Sequence, residues 1–420
     1  MKYYFPDSQD LIDPSFDFDK ESRSETRVRQ RDDQYAHEVF AEPAFDGVLV
    51  SKASVDGAQG DRTRYSLAQK HRLLRVGVRE FFRLDAPGRP HLVTMGDCGA
   101  FSYAKEPTPP VTVDEVIDFY LECGFDAGVS VDHIVFGYDP ALDRVPLEEV
   151  PMEFRARQRI TLDLAAEFYR RHRERGCKFQ AVGVAQGWSP GSYASAVSEL
   201  QRIGYRRIGF GGMVALQTQE ILACLTHVDT IREPSVEFHL FGVTRCKEVG
   251  QFAKLGVTSF DSTSPLRQAF KDDRDNFYTM DRTYTAIRVP QIDGNVGLQK
   301  RIRAGQVDQR KAERLEQECL RALKAYDAGK GSIESAVSIL REYEQLHDGR
   351  KDRSAVYRQV LEDAPWKSCS CEICRNLGVH VILFRGAERN RRRGFHNVYV
   401  FYRRLQRELT SSRQLAATIS

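Results

Sequence analysis

A chain of 420 residues with 41% hydrophobic and 29% charged side chains is long enough for one large barrel or two to three ordinary domains, which excludes disorder as its main state. With 62 basic against 59 acidic residues the net charge is only +3, so any nucleic-acid surface must be local. No stretch approaches the roughly 18 to 20 consecutive apolar residues of a membrane helix, and residues 1–10 lack the apolar core of a secretion signal, so a cytoplasmic protein with no membrane partner is expected.

Residues 1–40 are polar and charged and read as an N-terminal arm; 46–51 is a candidate early strand. From about residue 88 to 262 one grammar repeats: a short apolar run, a polar or Gly-rich tip, a helical pattern, then Gly and the next apolar run. The runs at 91–95, 127–131, 179–184, 207–210, 236–241 and 257–260 are the signature of βα units and a parallel sheet, and six in succession point to an α/β barrel over 41–289. The connecting helices are legible too. Thr112 and Glu115 fit a capping box, Val116, Phe119, Tyr120 and Cys123 share one face, and Gly124 suits the left-handed position after the helix. Ser192 is read as the cap of a helix that buries Tyr193, Val197 and Leu200 and ends at Gly204. From 290 to 365 the alternation stops, and stripes such as Leu315, Cys319, Ala322 and Leu323, or Ile333, Val337, Leu340 and Tyr343, mark a helical insertion.

In a parallel βα barrel the side chains that end the strands converge on one mouth, so chemistry is sought just after each apolar run. Those positions hold Asp97, Asp132, Gln186–Gly187, Gly211–Gly212 and Asp261. A single tip Asp is commonly a cap or turn former. Three of them with a Gln and a Gly pair suggest a site, for which a hard cation is one reading. Phe101 and Phe241 with the Gly pair suggest another, a pocket that stacks a flat heterocycle and bonds its edge. An Asp nucleophile beside an Asp acid/base is the arrangement that exchanges a group at an anomeric carbon.

Six of the nine cysteines are scattered, while Cys369, Cys371 and Cys374 lie within six residues, a metal pattern and not a disulfide framework. With His396, after 21 intervening residues, they fill a tetrahedral zinc shell with no open position, so one structural Zn(2+) per chain is expected in a zinc-binding subdomain over 366–420. His380 is the competing fourth ligand, but 378–384 reads as strand. Around the site Arg385, Arg389, Arg391, Arg392, Arg393, Arg403, Arg404, Arg407 and Arg413 face only Glu388 and Glu408, with Phe395, Tyr399, Phe401 and Tyr402 interleaved. A basic C-terminal helix that contacts phosphates is expected, with a solvated face as the alternative.

Taken together these motifs resemble the queuine-type tRNA-guanine transglycosylases, zinc-containing (β/α)8 barrels of TIM type that swap a guanine in nucleic acid for a 7-deazaguanine. Gly96-Asp97-Cys98-Gly99-Ala100-Phe101 is similar to the family's DSGGFQ or DSGGYQ, Gln186-Gly187 to its QGG, Gly211-Gly212-Met213 to its GGLA, and the stretch from Phe260 to Arg267 to its FDCVxPTR. The zinc motif and His396-Asn397 complete the set. The resemblance implies Asp261 as nucleophile, Asp97 as general acid/base, and Asp132 and Gln186 as readers of the guanine edge. It also implies that the Gly211 and Gly212 peptides receive the keto oxygen and that Phe101 and Phe241 cover the base. Arg391, Arg392 and Arg393 of the basic run, with Arg267, are the expected nucleic-acid contacts.

Departures from the pattern point to a divergent branch. QGG has become Gln186-Gly187-Trp188, the FDCVxPTR motif has lost its Cys and Thr, and Asp261 stands 108 positions before Cys369. This is similar to the DNA-modifying branch, which implies a DNA substrate, 7-cyano-7-deazaguanine as the incoming base and partner proteins of a DNA-modification system. The same chemistry on tRNA, or a non-catalytic barrel that binds nucleic acid, are the competing readings.

Overall fold

The computed structural model describes residues 1–7, 9–57, 64–86, 91–271 and 274–419, apart from the side chains of 413 and 415–419. Arg413 is therefore outside the described side chains. The chain divides into two compact units, one of residues 1–9, 45–263 and 405–420, the other of 10–44 and 264–404.

The first unit is a closed barrel of eight parallel strands: β1 Lys2–Pro6, β2 Gly47–Ser51, β3 Val93–Asp97, β4 Ala127–Val129, β5 Gln180–Ala185, β6 Arg207–Phe210, β7 Glu237–Leu240 and β8 Val257–Asp261. Neighbours follow chain order, and β8 closes on β1 with Tyr3 opposite Phe260 and Tyr4 opposite Asp261. The six strands expected between 88 and 262 are all present, as is the early one. The first strand was not foreseen: Lys2–Pro6 belongs to the barrel wall and not to a polar arm, because Tyr3, Tyr4 and Phe5 are apolar enough to be buried. Inside the barrel Tyr4, Leu49, Met95, Val129, Val182 and Val184 form one buried cluster, the filled interior of such a fold.

Local sequence accounts for the helices that brace the strands. Thr112 accepts from Glu115 N, Glu115 accepts from Thr112 N, and Gly124 takes φ 69°, as the capping box and left-handed stop require. Tyr120 of that helix lies so close to β3 and β4 that a Cβ at Gly96 or Gly128 would come within 2.4 Å of its ring. The next expected cap is displaced by three residues. Ser189, not Ser192, caps the helix Pro190–Ile203, because Pro190 fixes the first helical position and Ser192 serves as the third residue of the capping box.

The second unit holds the helices Val296–Arg303, Gln309–Asp327, Ile333–His347 and Ser354–Asp363 together with the cysteine motif and residues 386–404 of the long helix Gly386–Ile419. The helical segment is thus part of the same compact body as the cysteines. Residues 10–44 belong to it as well, and they explain the arginines. Arg389 bonds Glu21, Arg385 bonds Glu21 and Glu316, and Arg392 bonds Glu388 and Asp13 O. Arg393 is fully buried and donates to Val381 O, Leu383 O, Ala269 O and Asn390 Oδ1. Burial without a carboxylate brings its guanidinium down to about 9. The expectation that Arg392 and Arg393 meet phosphates is therefore corrected: they are interior cations, bonded within and near their own helix and also to the distant Asp13 O and Ala269 O. Among the described residues no helix is long and apolar enough to cross a membrane.

Candidate active site

The ends of β2, β3 and β8 and the loops after β3 to β7 enclose a cavity of about 280 Å³ within the barrel unit. Asp97, Asp132, Gln186, Gly211, Gly212, Phe101, Phe241 and Asp261 all line it, so the tip residues picked out in sequence are brought together. Leu49, Ala100, Ile134, Phe136, Val214 and Ala215 complete an otherwise apolar wall. A small, mostly apolar cavity with a few convergent polar groups suits one flat heterocycle.

Asp132 is buried and held by two side chains. Gln186 Nε2 donates to its Oδ2 at 2.7 Å, and Cys98 Sγ donates to its Oδ1 at 3.3 Å. Burial keeps the Cys98 thiol well above its ordinary range, so it remains a donor, and Tyr103 OH points to the sulfur at 3.1 Å. Burial also raises Asp132 to about 6, against the lowering effect of these two donors. Gln186 completes its own bonding by accepting from Val135 N at 3.3 Å. Cys98, Tyr103 and Val135 were not anticipated. Cys98 stands where the resembled motif has Ser, and that substitution was the available signal.

The Gly pair is needed for space and for backbone angle. A Cβ on Gly211 would lie 2.0 Å from Gln186 Nε2, and Gly212 sits at φ 76°. Gly211 donates its own N–H to Ala185 O, which leaves Gly212 as the candidate donor to a keto oxygen and corrects the expectation of two peptide donors. Phe101 is 69% exposed at the rim, edge-on to Phe136 at 6.4 Å between ring centroids. Phe241 is half-buried and packs onto the barrel core. Trp188, in place of the second Gly of QGG, is buried against Val135 and Val150 and stacks on Phe154, fixing the segment that follows Asp132.

Asp97 and Asp261 have opposite surroundings. Asp97 has its carboxyl in the low-polarity floor of the cavity beside Asp132 and Asp261, and burial with those two like charges raises it to about 8 in spite of bonds from the Gly99 and Cys98 amides. Asp261 Oδ1 instead receives His239 Nε2 at 3.1 Å and Gly242 N at 3.1 Å. His239, on β7, was also missed: within Val-Glu-Phe-His-Leu-Phe it reads as one more strand residue, and only the register that sets it opposite Ser259 reveals its role.

In the second unit Cys369, Cys371, Cys374 and His396 converge, with their four donor atoms within 4.8 Å of one another. His396 Nδ1 lies 3.4 to 3.7 Å from the three sulfurs, and its Nε2 is 2.7 Å from Tyr278 O, so Nε2 carries the hydrogen and Nδ1 is the ligating atom. This set could hold a metal ion, and among the described residues the three tip aspartates form no such group. His380 is not part of it; residues Gly378–Ile382 form a 3-10 turn where a strand was expected, and the ring packs beside Phe18 and Arg389. Arg267 is exposed on the short helix Ser264–Gln268 and Arg391 is half-buried beside Asp10 and Glu388.

No family model matches the chain. It is 48% identical over 414 residues, 98% of both chains, to a protein named DNA-guanine transglycosylase from Salmonella montevideo. The chain belongs to the DNA-guanine transglycosylase family. That membership agrees with the resemblance to tRNA-guanine transglycosylases and with its DNA-modifying branch. Within that family frame the barrel mouth, with its paired aspartates, is the place where base exchange is to be sought.

Proposed function

We propose that this protein exchanges guanine in DNA for a 7-deazaguanine, with 7-cyano-7-deazaguanine as the incoming base, through a covalent intermediate on Asp261. The observation that carries this reading is the lining of a single base-sized cavity by Asp97, Asp132, Gln186 and Asp261 in a chain so similar to a DNA-guanine transglycosylase.

A guanine inside a duplex is out of reach, so it is flipped into the barrel mouth at a cost of a few kcal/mol. Phe101 and Phe241 cover its faces. Its N–H edge meets the Asp132 carboxylate and Gln186, and its keto oxygen meets Gly212 N–H. Asp261 then bonds to the anomeric carbon as the bond from that carbon to the guanine ring nitrogen breaks, and the departing guanine takes the proton of Asp97. The incoming deazaguanine returns the proton: Asp97, now a carboxylate, removes its ring N–H, and the freed nitrogen displaces Asp261. A group raised to about 8 suits both halves of this exchange. Zinc in the Cys369, Cys371, Cys374 and His396 set serves folding only, since the four protein ligands leave no open position. Arg267 and Arg391 are the proposed phosphate contacts, and partner proteins of a DNA-modification system are proposed to act with the enzyme.

Incubation with labelled guanine and either duplex DNA or bulk tRNA tests the reading. Label should enter DNA, and a DNA adduct should survive a denaturing gel for the wild type and be absent for Asp261→Asn. Label in tRNA alone would favour the tRNA activity, and label in neither would leave a non-catalytic binding barrel.

A further inference from the structure

Behind Asp261 lies a buried chain of hydrogen bonds that the reaction above does not use. Arg207 Nη2 donates to Ser259 Oγ at 3.0 Å, Ser259 Oγ is 2.9 Å from His239 Nδ1, and His239 Nε2 is 3.1 Å from Asp261 Oδ1. The direction of each bond follows from its members. Arg207 can only donate, so Ser259 accepts from it and has its own hydrogen to give to His239 Nδ1. Nδ1 is then the acceptor nitrogen, and the ring's single hydrogen is on Nε2, aimed at the carboxylate. His239 and Ser259 are buried, and the imidazole sits between Tyr4 and Phe241 with ring centroids at 5.8 and 4.6 Å. Burial and the Arg207 charge both resist its protonation. Gly242 N also donates to Oδ1, so these two donors lie on one oxygen of the carboxylate.

We infer that Arg207, Ser259 and His239 position Asp261, gripping it by Oδ1 so that Oδ2 is the oxygen that bonds to the anomeric carbon. The inference rests on the reading of Asp261 as nucleophile and adds to it the identity of the attacking atom and of the residues that aim it. His239 is a positioning residue: it keeps its proton throughout, while the Oδ2 bond forms, the bond to guanine breaks and the departing base takes the Asp97 proton.

Single-turnover adduct formation with duplex DNA tests this in full-length protein, beside DNA affinity and the urea midpoint. His239→Phe removes the donor and should slow adduct formation about 10- to 100-fold, the worth of one hydrogen bond to a charged group, with DNA affinity within about threefold of wild type. His239→Gln, whose amide reaches the Nε2 position, should recover the rate to within about fivefold and keep the wild-type pH profile. Ser259→Ala, which frees the ring to place its hydrogen on Nδ1, should fall between the two. A wild-type rate in His239→Phe would overturn the inference. So would a folded His239→Gln that stays slow or loses a limb of the pH profile, because the imidazole would then be transferring a proton. Absence of any adduct in the wild type would instead overturn the reading of Asp261 itself.

Discussion

Replacing Asp97 by Asn should stabilise the barrel, and by more the higher the pH. In the unfolded chain this carboxyl ionises at its ordinary value of 3.8, whereas in the folded protein burial and the charges of Asp132 and Asp261 raise it to about 8. Between those values the folded state holds a proton that the unfolded state has released, so rising pH favours unfolding. Asp97 costs nothing below about pH 4, where both states are protonated, and its penalty is complete above about pH 8. A shift of about four pH units at about 1.4 kcal/mol each sets an upper bound of about 6 kcal/mol. Water in the open mouth screens part of it, so we expect Asp97→Asn to gain about 1 kcal/mol at pH 6 and about 2–3 kcal/mol at pH 8.5.

The chain offers a clean reporter for this measurement. It has two tryptophans, Trp188 packed on the barrel beside Phe154 and Trp366 in the second unit, bonded to Asp327. In a Trp366→Phe background, urea unfolding followed by Trp188 fluorescence reads the barrel alone. The stability gained by Asp97→Asn in that background should widen steadily from pH 5 to pH 8.5. Parallel stability curves would refute the reasoning, since they would mean that Asp97 ionises normally and is not poised to carry a proton. The same substitution should leave adduct formation detectable while abolishing complete exchange, because the incoming base can no longer be deprotonated.

Cys371→Ser should lose its metal and destabilise the second unit, measured as zinc per chain by elemental analysis; full zinc with unchanged folding would sink the Cys3His assignment. Gly211→Ala should reduce base exchange more than 100-fold in a folded protein, as its Cβ would displace Gln186 from Asp132; calorimetric titration with the free base should show the loss as one of binding. Arg393→Ala should cost about 3 kcal/mol or more by leaving buried carbonyls without a donor, and should leave the salt dependence of DNA binding unaltered. Arg391→Ala should flatten the log–log salt slope by about one, which a filter-binding series in KCl would read directly.

What could be read from sequence depended on whether the signal was local. Six of the eight barrel strands carried their own apolar run bounded by a tip and a helix, a seventh was a bare apolar run at 46–51, and the tip rule alone gathered Asp97, Asp132, Gln186, the Gly pair and Asp261 into one mouth. Lys2–Pro6 escaped because no adjacent βα partner follows it; the chain leaves the barrel for residues 10–44 before returning at β2. The arginines misled for a related reason. Near-exclusive Arg in one helix looked like a phosphate face because counter-charges such as Glu21 and Glu316 stand some 70 to 370 positions away in sequence. His239 was hidden by its strand. Nothing within Glu237–Leu240 distinguishes a core histidine from one that faces a carboxylate across β8.

The two catalytic candidates show how one cavity supports opposite demands on the same side-chain type. A nucleophilic carboxylate has to be ionised and aimed, and Asp261 is given two N–H donors, both on one oxygen, by β7 and by the turn that follows it. A proton carrier has to hold a proton near neutrality, and Asp97 is given burial and two negative neighbours, one of which is the proposed nucleophile. The asymmetry is self-reinforcing. The charge on Asp261 helps keep Asp97 protonated; in the proposed cycle, esterification of Asp261 to the sugar would remove that charge and ease the ionisation of Asp97 as the leaving guanine takes its proton. In the same proposed cycle, displacement of Asp261 by the incoming base would restore the charge, and with it the affinity of Asp97 for the proton just collected. The proposed cycle would thus couple the covalent state of one aspartate to the proton affinity of the other through the electrostatic influence of Asp261 on Asp97.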